Sequence, residues 1–150
     1  MMRLEAKNVS RRYFRQGKGK NFFYAVQGAE LTLTAGTLTE ITGRSGSGKS
    51  TLLNMLAGLL EPTEGTVLLD GSDLYAMDDG SLSKLRNAAI GVIPQGQTGL
   101  HSLTVLENVK LPSMMYEKEP CSDGWAEELL ARVGIAHLKD VYPNELSGGE

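Results

Sequence analysis

The chain has 150 residues, of which 41% are hydrophobic and 22% charged, and its formal net charge is −3. This length allows one globular domain with a core, and no apolar run approaches the roughly 20 residues that a membrane-spanning helix needs. The single cysteine, Cys121, excludes an internal disulfide and a cysteine-rich zinc site. Because the N-terminus has no apolar segment typical of a secretion signal, we expect a cytoplasmic protein.

The charge is unevenly distributed along the chain. Residues 1–20 carry seven basic side chains against Glu5, a net charge of +6, so residues 21–150 carry −9. A basic N-terminus can bind nucleic acid or anionic lipid. The sequence shows no groove of interleaved aromatic and basic residues, so we favour a solvated strand and loop and expect no nucleic-acid partner.

Three β-strands are predicted in the first 42 residues. The first is Leu4–Val9, and a polar loop at Arg15–Asn21 separates it from the second, Val26–Ala35, in which apolar and polar residues alternate. The third is the short β-prone segment Gly36–Thr42. Glu40 is unexpected there, because a strand in this setting is normally covered on both faces and an unpaired buried carboxylate is costly.

The next eight residues, Gly43–Ser50, read G-R-S-G-S-G-K-S and fit the pattern G-x-x-x-x-G-K-[ST] of a phosphate-binding loop. Glycines adopt backbone conformations closed to residues with a Cβ atom, so the N–H groups of such a loop can converge on phosphate oxygens. Lys49 would reach the β- and γ-phosphates, and the Ser50 hydroxyl would bind Mg²⁺.

The residues after this loop predict an amphipathic helix over Lys49–Leu60, because leucine and methionine recur at i, i+1, i+3, i+4, i+7 and i+8. Its N-terminus would direct the positive end of the helix dipole at the phosphates. A strand, a glycine-rich loop and a helix in this order are the setting that the motif requires. We therefore interpret it as a nucleotide site rather than as a Gly-Ser linker.

Three further elements are predicted before Gln95. Thr66–Leu69 reads as a strand ended by a turn, Ser81–Asn87 as a helix with Ser81 as a possible N-cap, and Ala89–Ile93 as a short buried strand. Residues 1–95 are therefore predicted to form a β-rich half.

Residues 96–150 are predicted to be mainly helical. A helix is expected over Trp125–Val133, with Trp125, Leu129, Leu130 and Val133 on one apolar stripe. The segment Leu146–Glu150 reads L-S-G-G-E, and Ser-Gly-Gly just before a helix can form a second anion-binding nest.

The phosphate loop, the isolated Gln95 and Leu146–Glu150, in this order, together resemble the nucleotide-binding domain of ABC transporters. Residues 45–54, residues 103–112 and Glu150 resemble the ATPases of lipoprotein-release, macrolide-export and antimicrobial-peptide-export systems. The resemblance implies an α/β fold, a P-loop NTPase of the ABC ATPase type. It would have a β-rich nucleotide-binding half and a mainly helical subdomain, and would be incomplete at the C-terminus.

The resemblance also implies a role for each matching residue. Tyr13 would stack on adenine, with Phe14 as the alternative. Gln95 would bind Mg²⁺ together with Ser50, position the attacking water and sense the membrane subunit, so Lys49 and Gln95 would be the catalytic residues. ATP would be held by Gly43, Arg44, Ser45, Gly46, Ser47, Gly48, Lys49, Ser50 and Thr51, and by Ser147, Gly148, Gly149 and Glu150 of a second copy.

The implied function is the ATP-binding subunit of an exporter or lipid-extraction machine. Two such domains would pair head to tail around MgATP, and integral membrane permease subunits would hold them at the inner face of the cell membrane. An ABC-type ATPase without transport and a non-catalytic nucleotide-binding module remain as alternatives. A kinase or GTPase of another P-loop class would leave Leu146–Glu150 unexplained.

The sequence departs from the family pattern after Glu150. Family members continue with a magnesium aspartate, a glutamate that polarises water and a histidine switch, and His101 and His137 lie at the wrong places to replace that switch. The missing aspartate-bearing strand would neighbour the phosphate-loop strand. We therefore expect residues 1–150 to bind ATP without sustained hydrolysis, and Lys49-dependent turnover by this chain would refute that expectation.

Overall fold

The computed structural model describes residues 2–15, 22–96, 98–116 and 121–150. The predicted loop Arg15–Asn21 lies outside the described residues except for Arg15. By its contacts the chain forms two compact units, residues 1–91 and residues 92–150, and each is described by itself. Within the described ranges, no helix combines the length and the apolar character needed to cross a membrane.

The described residues of the first unit form four strands and two α-helices: β1 Arg3–Phe14, β2 Phe22–Thr34, α1 Lys49–Leu56, β3 Glu64–Leu69, β4 Ser72–Asp73 and α2 Asp79–Ala89. The strands form one antiparallel sheet in the order β2-β1-β3-β4. Strands β1 and β2 are longer than predicted, because the residues on either side of the predicted loop pair across the hairpin. Tyr13 lies opposite Phe23, and Phe14 lies opposite Phe22.

Strand β2 carries a β-bulge at Ala25. Arg11 pairs with Val26 and Arg12 pairs with Tyr24, so Ala25 is the extra residue between the two pairs. Directly paired residues share a face of a sheet, and consecutive residues of a strand alternate between faces. Arg11 and Val26 therefore lie on one face of the hairpin, and Arg12 and Tyr24 lie on the other.

The core of the first unit lies between one face of the sheet and the two helices. Its buried members are Ala6, Val9, Met55, Leu56, Val67, Leu74 and Leu82. Val26 and Ala29 of β2 pack against this cluster, which identifies the face that carries Val26 as the core face. Each fully buried aliphatic side chain contributes roughly 1.5–3 kcal/mol, and this burial holds α1, which is too short to be stable alone.

Helix α1 ends at Leu56, four residues before its predicted end. Gly58 has φ of +70° and turns the chain away from the helix axis. Leu59, which continues the apolar periodicity in the sequence, is 53% exposed as a result. Some of the leucines that continue the apolar periodicity, such as Leu59, therefore belong to the turn that follows the helix.

Three side chains from different elements donate hydrogen bonds to backbone carbonyls at this end of α1. Arg11 Nη1 donates to the Glu61 oxygen, Arg86 Nη1 donates to the Gly58 oxygen, and the Tyr75 hydroxyl lies within reach of the Met55 and Leu60 oxygens, each at 2.7 Å. The last carbonyls of a helix have no partner inside it, and cations are favourable there. Of these acceptors only the Met55 oxygen belongs to α1, so the contacts mainly stabilise the turn that follows the helix.

Tyr75 makes the stability of this unit sensitive to alkaline pH. Burial raises the pKa of its hydroxyl to about 12. An unfolded tyrosine ionises near pH ~10, so the contribution of Tyr75 is complete below that pH and is lost as the pH rises from about 10 through about 12. We expect Tyr75→Phe to flatten this alkaline fall and to cost about 1 kcal/mol at neutral pH. Urea unfolding of both proteins across this window is the measurement, and an unchanged alkaline slope in the variant would contradict it.

Two segments predicted as strands, Gly36–Thr42 and Ala89–Ile93, are not strands, and both predictions are wrong. Helix α2 continues through Ala89, and no described strand pairs with either segment. Leu38 and Ile93 are almost fully exposed, so the β-prone composition is present without the ladder that a strand requires. Glu40 is exposed as well, and its carboxylate carries no cost of burial in this structure.

Helix α2 begins two residues before its predicted start, and its N-cap is Asp78 rather than Ser81. The Asp78 carboxylate accepts hydrogen bonds from the Ser81 N–H (3.0 Å) and from the Ser81 hydroxyl (2.5 Å), and these bonds lower the pKa of that carboxyl. Aspartate is as good an N-cap as serine, so the choice between them depends on where the first turn closes.

The second unit is built on helices α3 Val105–Tyr116 and α4 Asp123–Arg132. The predicted apolar stripe on α4 is confirmed at Leu130 and wrong at its two ends. Trp125 and Val133 are 49% and 70% exposed, whereas Ala126 and Leu130 are buried. The helix begins at Asp123 with Ser122 as its N-cap, and it ends before Val133. Its buried face therefore runs through Ala126 and Leu130, which are four residues apart.

Candidate functional site

The phosphate loop is an irregular segment between residue 42 and α1. Gly46 and Gly48 have φ of +77° and +88°, and Gly43 has φ of +151°. The first two values lie in the left-handed range, which residues with a Cβ atom rarely adopt. The Ser47 N–H donates to the Arg44 oxygen at 3.2 Å and closes a turn inside the loop. The sequence prediction that the glycines shape this loop agrees with its geometry.

Gly48 is the point at which the loop touches the sheet. A Cβ atom on Gly48 would lie 2.1 Å from the Ala25 carbonyl oxygen and 3.1 Å from Val26 Cγ2. Ala25 is the bulge residue of β2, so the bulge places its carbonyl against the loop. The contact between the loop and the sheet therefore depends both on glycine at position 48 and on the extra residue in β2.

The ammonium group of Lys49 lies within the curve of the loop. Its Nζ donates to the carbonyl oxygens of Gly43 (2.7 Å) and Arg44 (2.8 Å), and Ser47 Oγ lies at 3.4 Å. All these acceptors belong to the loop itself. An anion that enters the loop would take over these donors, because a lysine ammonium binds charged oxygen more strongly than it binds a neutral carbonyl.

Helix α1 begins at Lys49 with Gly48 at the N-cap, and its first turn carries no acidic residue. The first N–H groups of a helix have no intrahelical partner, and the helix dipole is positive at this end. These groups, the left-handed glycines and Lys49 fit a polyphosphate. Ser50 follows in the first turn and is exposed, and a hydroxyl there can join phosphate oxygens in binding Mg²⁺.

The core face of the β1–β2 hairpin continues outward as a row of rings and guanidinium groups. The Arg11 guanidinium lies 5.2 Å from the centre of the Tyr13 ring, the Tyr13 and Phe23 rings are 5.9 Å apart, and Arg15 lies 5.0 Å from the Phe23 ring. Arg11 pairs with Val26, whose side chain touches Gly48. The Tyr13 ring is therefore on the face turned toward the phosphate loop.

The opposite face of the hairpin carries a second aromatic cluster. Arg12 lies 5.3 Å from the Phe22 ring, which meets Tyr24 edge to face at 5.7 Å, and Phe14 is 77% exposed. Aromatic rings and arginines thus alternate on both faces of the hairpin, and the expectation that the chain binds no nucleic acid stays a prediction. Arg11, Arg12 and Tyr13 already lie together on β1, and the hairpin pairing adds the rings of Phe22, Phe23 and Tyr24 from β2.

In the second unit, Gln95 is exposed. Its neighbour Gly96 and the segment Ser147–Glu150 line one cavity of about 430 Å³. The Ser147 N–H donates to Glu150 Oε2 at 2.7 Å, and the Glu150 N–H donates to the Ser147 oxygen at 3.1 Å. The bonds from Ser147 lower the pKa of the Glu150 carboxyl. The Ser-Gly-Gly segment is thus a turn held closed by its own glutamate.

The structure brings Gly43–Thr51 together at the start of α1 and places Tyr13 on the same side of the sheet. Sequence analysis did not select Arg11 or Phe23 as site residues. A usable signal was present, since Arg11 lies two residues before Tyr13 and three consecutive aromatic residues open β2.

This arrangement of loop, helix and sheet has known relatives. The family model described as ABC transporter matches residues 26–150, five sixths of the chain. The chain belongs to the ABC transporter family. Its relatives within this family include the lipoprotein-releasing system ATP-binding proteins LolD of Myxococcus xanthus, 36% identical over 151 residues, and of Shewanella frigidimarina, 39% identical over 150 residues. The resemblance to the lipoprotein-release type of ATPase is confirmed.

Solved structures of the ABC transporter family agree with this assignment. The dimeric post-hydrolysis structure of the ATP-binding cassette MJ0796 bound to ADP and Pi superposes with a TM-score of 0.87 at 35% identity. It covers 97% of this chain. The predicted fold, a P-loop NTPase of the ABC ATPase type, is confirmed. The chain spans 66% and 61% of the two LolD proteins and 64% of MJ0796, less than two thirds of each.

Proposed function

We propose that this chain binds MgATP as the ATP-binding subunit of an ABC transporter of the lipoprotein-release type. The observation that carries the proposal is the geometry at the start of α1. The Lys49 ammonium, two left-handed glycines and a helix N-terminus without acidic side chains converge on one loop. This combination stabilises the negative charge of a polyphosphate and suits few other ligands.

The adenine base would stack on Tyr13 rather than on Phe14. Tyr13 is half-buried, lies on the face turned toward the phosphate loop and contacts a second ring, Phe23. Phe14 points away from that face and pairs with Phe22. Ala25, which faces Gly48, is two residues from Phe23 along β2, a distance of about 7 Å at the usual rise of a strand. The ring and the loop are thus close enough for one nucleotide.

The remaining roles follow the family pattern. Gln95 would join Ser50 on Mg²⁺, and Ser147, Gly148, Gly149 and Glu150 would act on ATP bound by a second copy in a head-to-tail dimer. The MJ0796 cassettes, which are dimeric, support that assembly. Hydrolysis of ATP would move integral membrane permease subunits at the inner face of the cell membrane, with lipoprotein or lipid as the cargo class. The names of the LolD relatives support this cargo class.

Titration of the folded chain with ATP in a calorimeter tests the proposal. We expect a 1:1 complex with a dissociation constant of roughly micromolar to submillimolar order, the range typical of substrate binding. AMP, which lacks the phosphates that Lys49 would reach, should bind at least about tenfold more weakly, because charged hydrogen bonds are lost. Omission of Mg²⁺ should also weaken ATP binding. A folded sample that gives no heat with ATP would contradict the proposal.

A further inference from the structure

Arg11 touches both parts of the proposed nucleotide site, and no other assignment in the site uses it. Its guanidinium lies 5.2 Å from the centre of the Tyr13 ring. Its Nη1 donates to the Glu61 oxygen at 2.7 Å, in the turn that follows α1 and five residues beyond Leu56, the last residue of that helix. The N-terminus of the same helix carries the phosphate loop. One side chain therefore connects the ring proposed for the base with the turn that follows the helix proposed for the phosphates.

We infer that Arg11 is a positioning residue for the adenine base, and this inference rests on the proposed binding of ATP. The cation lies against the π-system of Tyr13 and restrains the ring, while the bond to Glu61 ties that restraint to the turn after α1. The base platform is then held against the segment that continues from the helix of the phosphate loop. Arg11 needs no contact with the nucleotide for this role.

The sheet pairing shows why Arg11, and not its neighbour Arg12, has this position. Arg11 and Tyr13 are two residues apart on β1, so they share the core face. Arg11 pairs with Val26, which touches Gly48. Arg12 lies over the Phe22 ring at 5.3 Å on the opposite face. The chain thus contains two adjacent arginines with the same kind of ring contact, only one of them on the side of the phosphate loop.

The rest of the Arg11 side chain makes it suitable for substitution. Among the described residues, its buried Nε has no hydrogen-bond partner. Removing an unsatisfied buried donor relieves a cost of desolvation, and a methionine retains much of the apolar stem that packs against the sheet. Arg11→Met should therefore fold, with the loss of the Glu61 bond partly offset.

The test compares ATP with inorganic tripolyphosphate, which has no base, in calorimetric titrations of the full chain. Arg11→Met should weaken ATP binding by about three- to tenfold, the effect of losing one partly buried cation–π contact, and should leave tripolyphosphate binding within about twofold. Arg12→Met is the matched control and should leave both affinities within about twofold. Arg11→Lys, which keeps a cation over the ring, should recover part of the loss.

The outcomes separate this inference from the proposed function. If the unaltered chain binds neither ligand, the proposed function fails and the inference with it. If it binds ATP but Arg11→Met weakens ATP and tripolyphosphate equally, or matches Arg12→Met, then Arg11 has no role in base positioning and the inference is overturned. If Arg11→Met unfolds at room temperature, Arg11→Gln, which removes the cation but keeps a hydrogen-bond donor, decides. A normal preference for ATP over tripolyphosphate in this variant overturns the inference, and a reduced preference supports it.

Discussion

Replacement of Lys49 by alanine is expected to weaken MgATP binding at least about 30-fold in calorimetric titrations. Lys49 Nζ donates to the Gly43 and Arg44 oxygens in the structure, so its charge is already held at the centre of the loop. A bound phosphate would exchange these neutral acceptors for charged oxygens, and each charged hydrogen bond contributes roughly 1.5–3 kcal/mol. Alanine removes all of them together.

Lys84→Ala is the matched control for this experiment. Lys84 is an exposed residue of α2, so its replacement changes the net charge by the same amount without altering the loop. We expect its affinity for MgATP to stay within about twofold of the unaltered chain, because a distant exposed charge is screened by salt. Equal losses of affinity in the two variants would show that net charge alone attracts the nucleotide. Unchanged MgATP binding by Lys49→Ala would show that the loop is not part of the nucleotide site.

Gly48→Ala is expected to destabilise the first unit by about 3 kcal/mol and to remove nucleotide binding with it. The new methyl group would lie 2.1 Å from the Ala25 carbonyl oxygen, a backbone atom that cannot move aside like a flexible side chain. The φ of +88° at this position adds a cost of about 1 kcal/mol for any residue with a Cβ atom. Overpacking of this kind costs typically ~1–3 kcal/mol. Urea unfolding followed by circular dichroism gives the free energy.

Gly46→Ala is the matched control that separates the conformational cost from the steric cost. Gly46 lies in the same loop with φ of +77°, but a Cβ atom there would meet nothing within 4 Å. The free energy of unfolding of this variant should fall only by the cost of the left-handed backbone conformation, about 1 kcal/mol. The difference between the two variants then measures the contact with Ala25. If they were equally stable, β2 would have to move away from the loop, and the contact would not constrain the fold.

The sequence predicts the local parts of the site well. Gly43–Ser50 forms a loop at the start of a helix, because glycine conformations and a helix N-terminus are properties of consecutive residues. The end of α1 was not predictable in the same way. Leu59 continues the apolar periodicity, but Gly58 turns the chain first, and the carbonyls there are satisfied by side chains distant in sequence, such as Tyr75. Periodicity reports which residues are apolar, and it does not report where a helix stops.

The non-local parts of the site required the structure. The choice of Tyr13 over Phe14 depends on which face of β1 meets the phosphate loop, and the bulge at Ala25 shifts the register on which that face depends. Gly36–Thr42 has the composition of a strand, yet a strand exists only where a second one pairs with it. Such pairings join residues far apart in the sequence, so composition alone cannot supply them.

The bulge at Ala25 has a consequence for how this sequence can change during evolution. The contact with Gly48 uses the carbonyl group of residue 25, which every amino acid possesses, so many side chains are acceptable at that position. The bulge itself, by contrast, depends on the number of residues between Phe23 and Val26. Deleting Ala25 would remove the bulge and with it the carbonyl group that lies against Gly48, although Arg11 and Val26 could remain paired. Substitutions are therefore tolerated at position 25, whereas a deletion there would remove this contact between β2 and the phosphate loop.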